Sequence, residues 1–162
     1  MVKRTSLAGN SCPIARALDV IGDWWSLLII RDALLGRRRF GEFQKSLGLA
    51  KNILTVRLRA LVDQGILEVA PASDGSAYQE YVLTRKGRGI FQILVALRQW
   101  TEEFDARPQE IATILVDRDS GRPVKKLELH AQDGRLLAFA DTTLRPRPKP
   151  SLRADGSRQG RA

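Results

Sequence analysis

A polar face on one short amphipathic segment has the clearest chemical capacity in the sequence. Asn52 and Arg59 lie opposite an apolar stripe within residues 51–64. That stripe consists of Leu54, Leu58 and Leu61. An asparagine amide can pair with the edge of adenine and an arginine guanidinium with that of guanine, while Thr55 and Val56 can meet a thymine methyl group. Because outward asparagines and arginines are often merely solvated, this interpretation depends on the neighbouring elements.

Further candidate contacts with DNA flank that face. Lys51 lies at its edge, and Arg37, Arg38 and Arg39 precede a short segment whose N-terminus could approach a phosphate. Of these three arginines, we expect Arg39 to pair with a carboxylate inside the domain. Arg57 borders the apolar stripe, so both an internal ion pair and a phosphate contact are open to it. The tip of a predicted hairpin adds Ser73, Gly75 and Ser76.

The elements that must position these residues follow in a recognisable order. Ser11 could cap a first helix that begins at Pro13, and apolar spacing predicts further helices over Trp24–Leu35, Phe40–Leu47 and Lys51–Gln64. The period then changes to that of strands over Ile66–Ala70 and Tyr78–Thr84, with an Asp-Gly turn between them. Helix, tight turn, helix and hairpin form a winged helix-turn-helix, mainly α with a small β part. In that fold the second helix enters the major groove and the hairpin tip reaches the flanking backbone.

A long helix predicted after Thr84 has a wider apolar face than one core contact needs. Such a face near the end of a small domain predicts packing against a second subunit. The residues expected at this contact are Ile90, Leu94, Leu97, Trp100 and Phe104.

Length, composition and charge set wider limits. The 162 residues suit one domain with an appendage, and 43% hydrophobic with 28% charged residues is typical of a globular protein. The formal net charge of +9 favours a polyanion, nucleic acid before an anionic membrane. Neither a membrane-length apolar run nor a signal-peptide core occurs, which predicts a cytoplasmic protein.

Two segments follow the predicted core domain of residues 1–105. Residues 106–144 predict a small β-rich extension with strands over 111–116, 124–131 and 135–140. Residues 145–162 hold six basic residues and one acidic residue, and we expect a disordered tail, either solubilising or binding DNA non-specifically. Because so much of the excess charge lies there, net charge alone does not establish DNA binding.

The features of residues 11–105 resemble the HxlR-type bacterial transcriptional regulators, winged-helix relatives of the MarR group. The matching features are Cys12-Pro13, Gly22-x-Trp24-Trp25, Arg31-Asp32, Gly36, Arg39-Phe40, Leu54-x-x-Arg57-Leu58, Gly65 and the stretch Glu80–Arg88. The resemblance implies a homodimer that binds operator DNA and represses or activates nearby genes. It also implies a dimer joined through the first and last helices, which adds Ile14 and Leu18 to the contact. Two-fold symmetry then predicts a palindromic operator. Asp23 departs from the family, in which lysine or arginine is frequent at that position.

The single cysteine gains a candidate role from the same resemblance. Cys12 matches a cysteine that several members use to sense oxidants or electrophiles, and a helix N-terminus favours the thiolate. An intersubunit disulfide, a mixed disulfide and an electrophile adduct are all open, and the alternative is a buried, inert thiol.

No metal site is expected in the chain. One cysteine and one histidine exclude a structural zinc site rich in these residues. In some relatives the C-terminal extension has paired cysteines near its turns, where this chain has Ser120, Gly121, Asp133 and Gly134. We expect His130 to be a surface residue of a strand.

Alternative function classes have little support. The sequence contains no Gly-rich phosphate loop, no Cys/His pair in a recognisable motif and no G-x-S-x-G turn, so an enzyme is not expected, and neither is a cofactor. The more serious alternative is a winged helix that docks another protein. The polar residues Lys51, Asn52 and Arg59 on the outer face argue against it. A small-molecule or oxidant effector remains open.

Overall fold

The computed structural model describes residues 6–105 and 107–147, without the side chain of Pro108. Its α-helices are α1 (Pro13–Ile21), α2 (Trp24–Leu34), α3 (Phe40–Leu47), α4 (Lys51–Asp63), α5 (Arg85–Arg88) and α6 (Phe91–Phe104), and its strands are β1 (Leu67–Pro71) and β2 (Gln79–Leu83). The tail predicted for residues 145–162 lies, from residue 148 onward, outside the described residues.

Helix α2 lies at the centre of the hydrophobic core and packs against α3, α4, α6 and β2. Two consecutive residues, Ile29 and Ile30, are both fully buried, as a helix covered on several sides requires. From the neighbouring helices come Phe43, Leu54, Leu58 and Leu61, which are also fully buried. The inward stripe predicted for the fourth helix is therefore confirmed, and it determines which face of α4 points outward.

The turn between α3 and α4 is short and depends on one glycine. Gly48 has a φ of 63°, a left-handed conformation that glycine adopts without steric cost, and its N–H donates to the Gln44 carbonyl at 2.9 Å. At the other end of α3, the Glu42 carboxylate accepts the backbone N–H groups of Arg38 and Arg39 at 2.7 and 2.8 Å. These bonds lower the pKa of Glu42, and they determine where α3 begins.

Strands β1 and β2 form an antiparallel hairpin, the wing, with a register that runs from Leu67 opposite Leu83 to Pro71 opposite Gln79. The tip turns at Gly75, whose φ is 75°. The N–H of Tyr81 donates to the Arg38 carbonyl at 2.8 Å, so β2 is bonded to the turn before α3.

The structure corrects two helix predictions. Thr84 accepts the N–H of Gly87 at 3.1 Å, but it caps only the short α5, and α6 is a separate helix. The glycines in the Arg85–Gly89 stretch have low helix propensity, which explains why one continuous helix does not form. At the other end of the domain, the N-cap of α1 is Cys12 and not Ser11, and the N–H of Cys12 donates to Asn10 Oδ1 at 2.8 Å.

The extension also differs from its prediction. The chain divides into two compact units after Val124, so the boundary separates the first predicted strand from almost all of the second. In place of the three predicted strands, the described residues contain isolated bridges, Val116 with Pro123 in the first unit and His130 with Leu136 in the second. Two-stranded hairpins are marginally stable without a packed hydrophobic face, and Ile114 and Leu129 are both largely exposed.

In the part of the chain that the structure describes, no helix has both the length and the apolar character needed to cross a membrane.

Candidate nucleic-acid interface

The outward face of α4 presents the chemistry predicted from the sequence. Lys51, Asn52, Thr55, Val56 and Arg59 are all exposed. The hydroxyl of Thr55 donates to the Lys51 carbonyl at 2.8 Å, so its proton is used within the helix. Val56 is 62% exposed although it is apolar. This surface therefore combines amide, guanidinium and methyl groups on one helix, as recognition of base edges requires.

Arg57 makes the internal ion pair that its position allowed. Its Nε lies 3.5 Å from Oδ1 of Asp23, and its side chain is 36% exposed. Asp23 also caps α2, because it accepts the backbone N–H of Ser26 at 3.1 Å and the hydroxyl of the same residue. The aspartate that departs from the family pattern thus links the start of α2 to the middle of α4.

Arg37 is paired with a carboxylate at the end of α2. Its Nη1 lies 3.4 Å from Oδ1 of Asp32, and Nη2 of Arg31 lies 2.8 Å from the same oxygen. Asp32 is fully buried, and its Oδ2 has no hydrogen-bond partner among the described residues. The Arg37 side chain remains 37% exposed, so its guanidinium can still reach solvent or an anion.

Arg38 and Arg39 both reach the wing. Arg38 Nη1 lies 3.5 Å from Glu80 Oε2, and Arg39 Nε lies 3.7 Å from Glu80 Oε1. Arg39 Nη2 contacts Oδ2 of Asp74 at 2.5 Å, and the guanidinium carbon lies 5.6 Å from the centroid of the Tyr78 ring. The prediction that Arg39 pairs with a carboxylate of the domain is confirmed.

The wing tip is built from short polar contacts. Ser73 Oγ donates to Glu80 Oε1 at 3.1 Å, and the Ser76 N–H donates to Asp74 Oδ1 at 3.0 Å. Hydrogen bonds from Ser76 and Arg39 hold the pKa of Asp74 well below its usual range. Ser73 and Gly75 are exposed and Ser76 is half-buried. The wing tip and the turn at residues 37–39, which we call the arginine turn, therefore form one surface. Helix α4 presents its own face separately.

Sequence reasoning did not identify Asp74 and Glu80 as parts of this site. Arg39 and Asp74 are separated by 35 residues, so no local spacing connects them. Glu80 carries the one available signal, because it is an acidic residue inside a short predicted strand.

The predicted dimer contact is largely on the surface. Ile14, Leu18, Leu97, Trp100 and Phe104 are exposed, and Leu94 is half-buried against the core. Ile90 is a correction, since it is 6% exposed and belongs to the core. Residues of one sequence stripe are thus buried at its start, at Ile90, and exposed farther along α6.

Cys12 is an exposed, free cysteine at the N-terminus of α1. The thiol is therefore exposed on the single chain, and the burial that the alternative interpretation assumed is not observed there. His130 is exposed and its Nε2 lies 3.2 Å from Glu128 Oε2. Across residues 6–105 and 107–147, no group of three metal-binding side chains lies close enough to hold an ion.

Comparison with known proteins places this architecture in a family. Residues 20–109 match the model of the HxlR-like helix-turn-helix family. An uncharacterized HTH-type transcriptional regulator of Mycobacterium tuberculosis is 34% identical over 141 residues, 87% of this chain and 88% of the relative. The crystal structure of PA1607, a candidate transcription factor, is 57% identical with a TM-score of 0.83, and the match covers 88% of this chain and all of the other. The redox regulator HypR in its oxidized form is 30% identical with a TM-score of 0.53 and covers 59% of this chain and all of its own. With its winged helix-turn-helix fold, the chain belongs to the HxlR-like helix-turn-helix family and is a transcriptional regulator of the helix-turn-helix type.

Proposed function

We propose that the protein is a homodimer that reads the sequence of double-stranded DNA at a palindromic operator and thereby regulates transcription. The observation that carries this proposal is the outward face of α4, where Asn52, Arg59 and two methyl-bearing residues are exposed. Burial of the opposite, leucine-lined face fixes the rotation of the helix, so these groups are available together to one groove.

The contacts divide by chemistry into base recognition and backbone positioning. Asn52 and Arg59 recognise base edges, with Thr55 and Val56 against thymine methyl groups. Phosphate contacts come from a second group of residues, and contacts of this kind carry no sequence information. This second group comprises Lys51, Arg37, Arg38, Ser73, Gly75 and Ser76. Arg39 and Arg57 act indirectly, because Arg39 holds the wing tip through Asp74 and Glu80, and Arg57 holds α4 to the start of α2 through Asp23.

Dimerisation follows from the exposed apolar face on α1 and α6. Trp100 and Phe104 are 57% and 67% exposed, and Ile14 on α1 is 70% exposed. Large apolar side chains exposed in this way support a protein interface on these two helices. A two-fold axis then repeats α4 in two major grooves, with half-site centres about 10 base pairs apart or a multiple of that distance.

Binding to a labelled fragment from upstream of the protein's own gene tests this proposal. We expect tight binding that weakens steeply with salt and exceeds binding to a scrambled duplex. Equal, weak binding to both duplexes would contradict sequence recognition. Binding that is independent of salt and sequence would favour the protein-docking alternative, since phosphate contacts always release counterions.

We also infer that an oxidant or electrophile modulates DNA binding at Cys12. The support is an exposed thiol at a helix N-terminus, close in sequence to Ile14 of the dimer face, together with the likeness to a redox regulator. Peroxide would oxidise the thiolate to a sulfenic acid, which can condense with a second thiol and release water. We expect mild peroxide to change the affinity of wild type and not that of Cys12→Ser. An equal response of both proteins would exclude Cys12, and mass spectrometry identifies the adduct.

A further inference from the structure

A buried carboxylate lies beneath the arginine turn, where a DNA-binding surface would be expected to avoid negative charge. Glu80 is 4% exposed, and it lies on β2 opposite Ala70 of β1. Its two oxygens face Arg38 at 3.5 Å and Arg39 at 3.7 Å, and one of them accepts the Ser73 hydroxyl at 3.1 Å. A carboxylate beneath a surface that binds phosphates would repel them, so the position of Glu80 needs another explanation.

The other contacts of Arg39 provide this explanation. The same guanidinium pairs with Asp74 at the wing tip, lies 3.4 Å from the Ser76 hydroxyl and stacks near the Tyr78 ring. The N–H groups of Arg39 are thus used in contacts with Asp74 and Ser76 at the wing tip and with Glu80 on β2. Arg38, Arg39, Asp74 and Glu80 thus form one cluster of ion pairs.

The backbone of the arginine turn is held equally firmly. Glu42 accepts the N–H groups of Arg38 and Arg39, and the Arg38 carbonyl accepts the N–H of Tyr81. The Arg38 side chain is 49% exposed, so its guanidinium has access to a ligand although it pairs with Glu80. The position of Arg38 is determined by the contact of its side chain with Glu80 and by the hydrogen bonds of its backbone.

We propose that Glu80 is a positioning residue for DNA binding, which orients the Arg38 guanidinium toward a phosphate and, through Arg39, holds the wing tip against the turn before α3. This inference rests on the proposed function. It differs from a purely electrostatic account in the sign of one effect. Removing a negative charge near DNA strengthens binding when charge alone matters, but it weakens binding when the charge positions two arginines.

The test compares two substitutions that raise the net charge equally. Glu80→Gln keeps the shape and an acceptor for Ser73 but removes the ionic contacts to Arg38 and Arg39. Glu68→Gln is the matched control, because Glu68 is exposed on β1 of the same hairpin. We expect Glu80→Gln to bind the upstream fragment about tenfold more weakly, with a salt slope smaller by about one unit. Glu68→Gln should bind as tightly as wild type or more tightly.

A second variant keeps the inference testable if Glu80→Gln does not fold, which thermal unfolding will reveal. Asp74→Asn removes an exposed charge at the wing tip and leaves the core untouched. It too should lower affinity although the protein becomes more positive. Wild-type affinity, or tighter binding, in either folded variant would overturn the positioning role alone. Wild type without salt-dependent binding would overturn both this role and the proposed function.

Discussion

The arginines beside the proposed DNA surface differ in what holds them. Arg37, Arg39 and Arg57 pair with Asp32, Asp74 and Asp23, while among the described residues no ion pair involves Arg59. A carboxylate partner fixes the position of an arginine and offsets part of its charge, even where the arginine stays exposed enough to reach a phosphate, as Arg37 does. The positive charge on side chains without a carboxylate partner, which can adjust to a phosphate or a base, is therefore smaller than the formal charge of the chain.

The Asp74 carboxylate provides a pH-dependent test of the wing. Its pKa in the folded protein lies below the ordinary value of 3.8, through hydrogen bonds from Ser76 and Arg39. A lowered pKa stabilises the folded state above the ordinary value, and that stability is lost as the pH falls below about 4. We expect wild type to melt at a higher temperature than Asp74→Asn at pH 7, and the difference to shrink toward pH 2. A difference that stays constant between these pH values would contradict the contacts of Asp74.

Gly87 is a close contact point between α5 and the wing. A methyl group on it would overlap the Ile66 carbonyl oxygen and lie 2.8 Å from Leu83 Cδ2. We expect Gly87→Ala to lower the free energy of unfolding by about 3 kcal/mol, measured by urea denaturation. Gly41→Ala in α3 is the control, since a methyl group there meets nothing within 4 Å and should be neutral or mildly stabilising. Equal stability of the two variants would show that the Gly87 contact is not close.

Spacing along the sequence revealed the role of some of these residues but not their partners. The position of Arg57 at the edge of an apolar stripe left an internal pair and a phosphate contact open, and the structure supplies an internal partner, Asp23. The partners of Arg39 come from the wing, dozens of residues away, and only the folded register of β1 and β2 brings them to the turn.

At the scale of elements, single substitutions on α4 test the proposed function. Arg59→Ala should lower specific affinity by about 1–3 kcal/mol and relax base preference, because Arg59 is free to contact a base edge. Asn52→Ala should do the same at another position of the site. Anisotropy titrations with matched and single-mismatch duplexes measure both effects.

Arg57→Ala is the control on the same helix. It removes the same charge, but its guanidinium pairs with Asp23, so it should weaken binding to all duplexes alike. Loss of base preference in Arg57→Ala, with wild-type preference in Arg59→Ala, would mean that the reading face is placed wrongly.

Elements with strong periodicity were predicted well from the sequence. Helices α1 to α4 and the wing have regular apolar spacing and glycine-containing turns, and their predicted bounds agree closely with the structure. The break between α5 and α6 was missed, although the two glycines of the Arg85–Gly89 stretch disfavour a continuous helix there. The extension strands were wrong, since alternation alone does not form a ladder without a face to pack against.

At the scale of the whole molecule, the exposed face of α1 and α6 should control assembly. Leu97→Glu and Trp100→Glu each place a charge on that face, so we expect single chains in sedimentation velocity where wild type forms dimers. Leu35→Glu is the control, because Leu35 is 70% exposed at the end of α2, outside this face. Dimers that survive both substitutions on α6 would remove that helix from the interface.

The proposed dimer contact could also be predicted only in part from the sequence. A wide apolar stripe indicated a second contact for the last helix, but the sequence does not show how far along that helix the core extends. Ile90 and Leu97 belong to the same sequence stripe, yet the first is buried in the core and the second is 46% exposed.

Selection of bound sequences from a pool of randomised duplexes tests the central claim most directly, because the protein itself chooses its operator from all possible sequences. We expect the wild-type protein to enrich a palindrome whose half-sites lie about one helical turn apart or a multiple of that distance. The Arg59→Ala variant should lose enrichment at one symmetric pair of positions. A pool that stays random after repeated rounds, with protein that is folded and binds duplexes non-specifically, would contradict a sequence-reading role for α4.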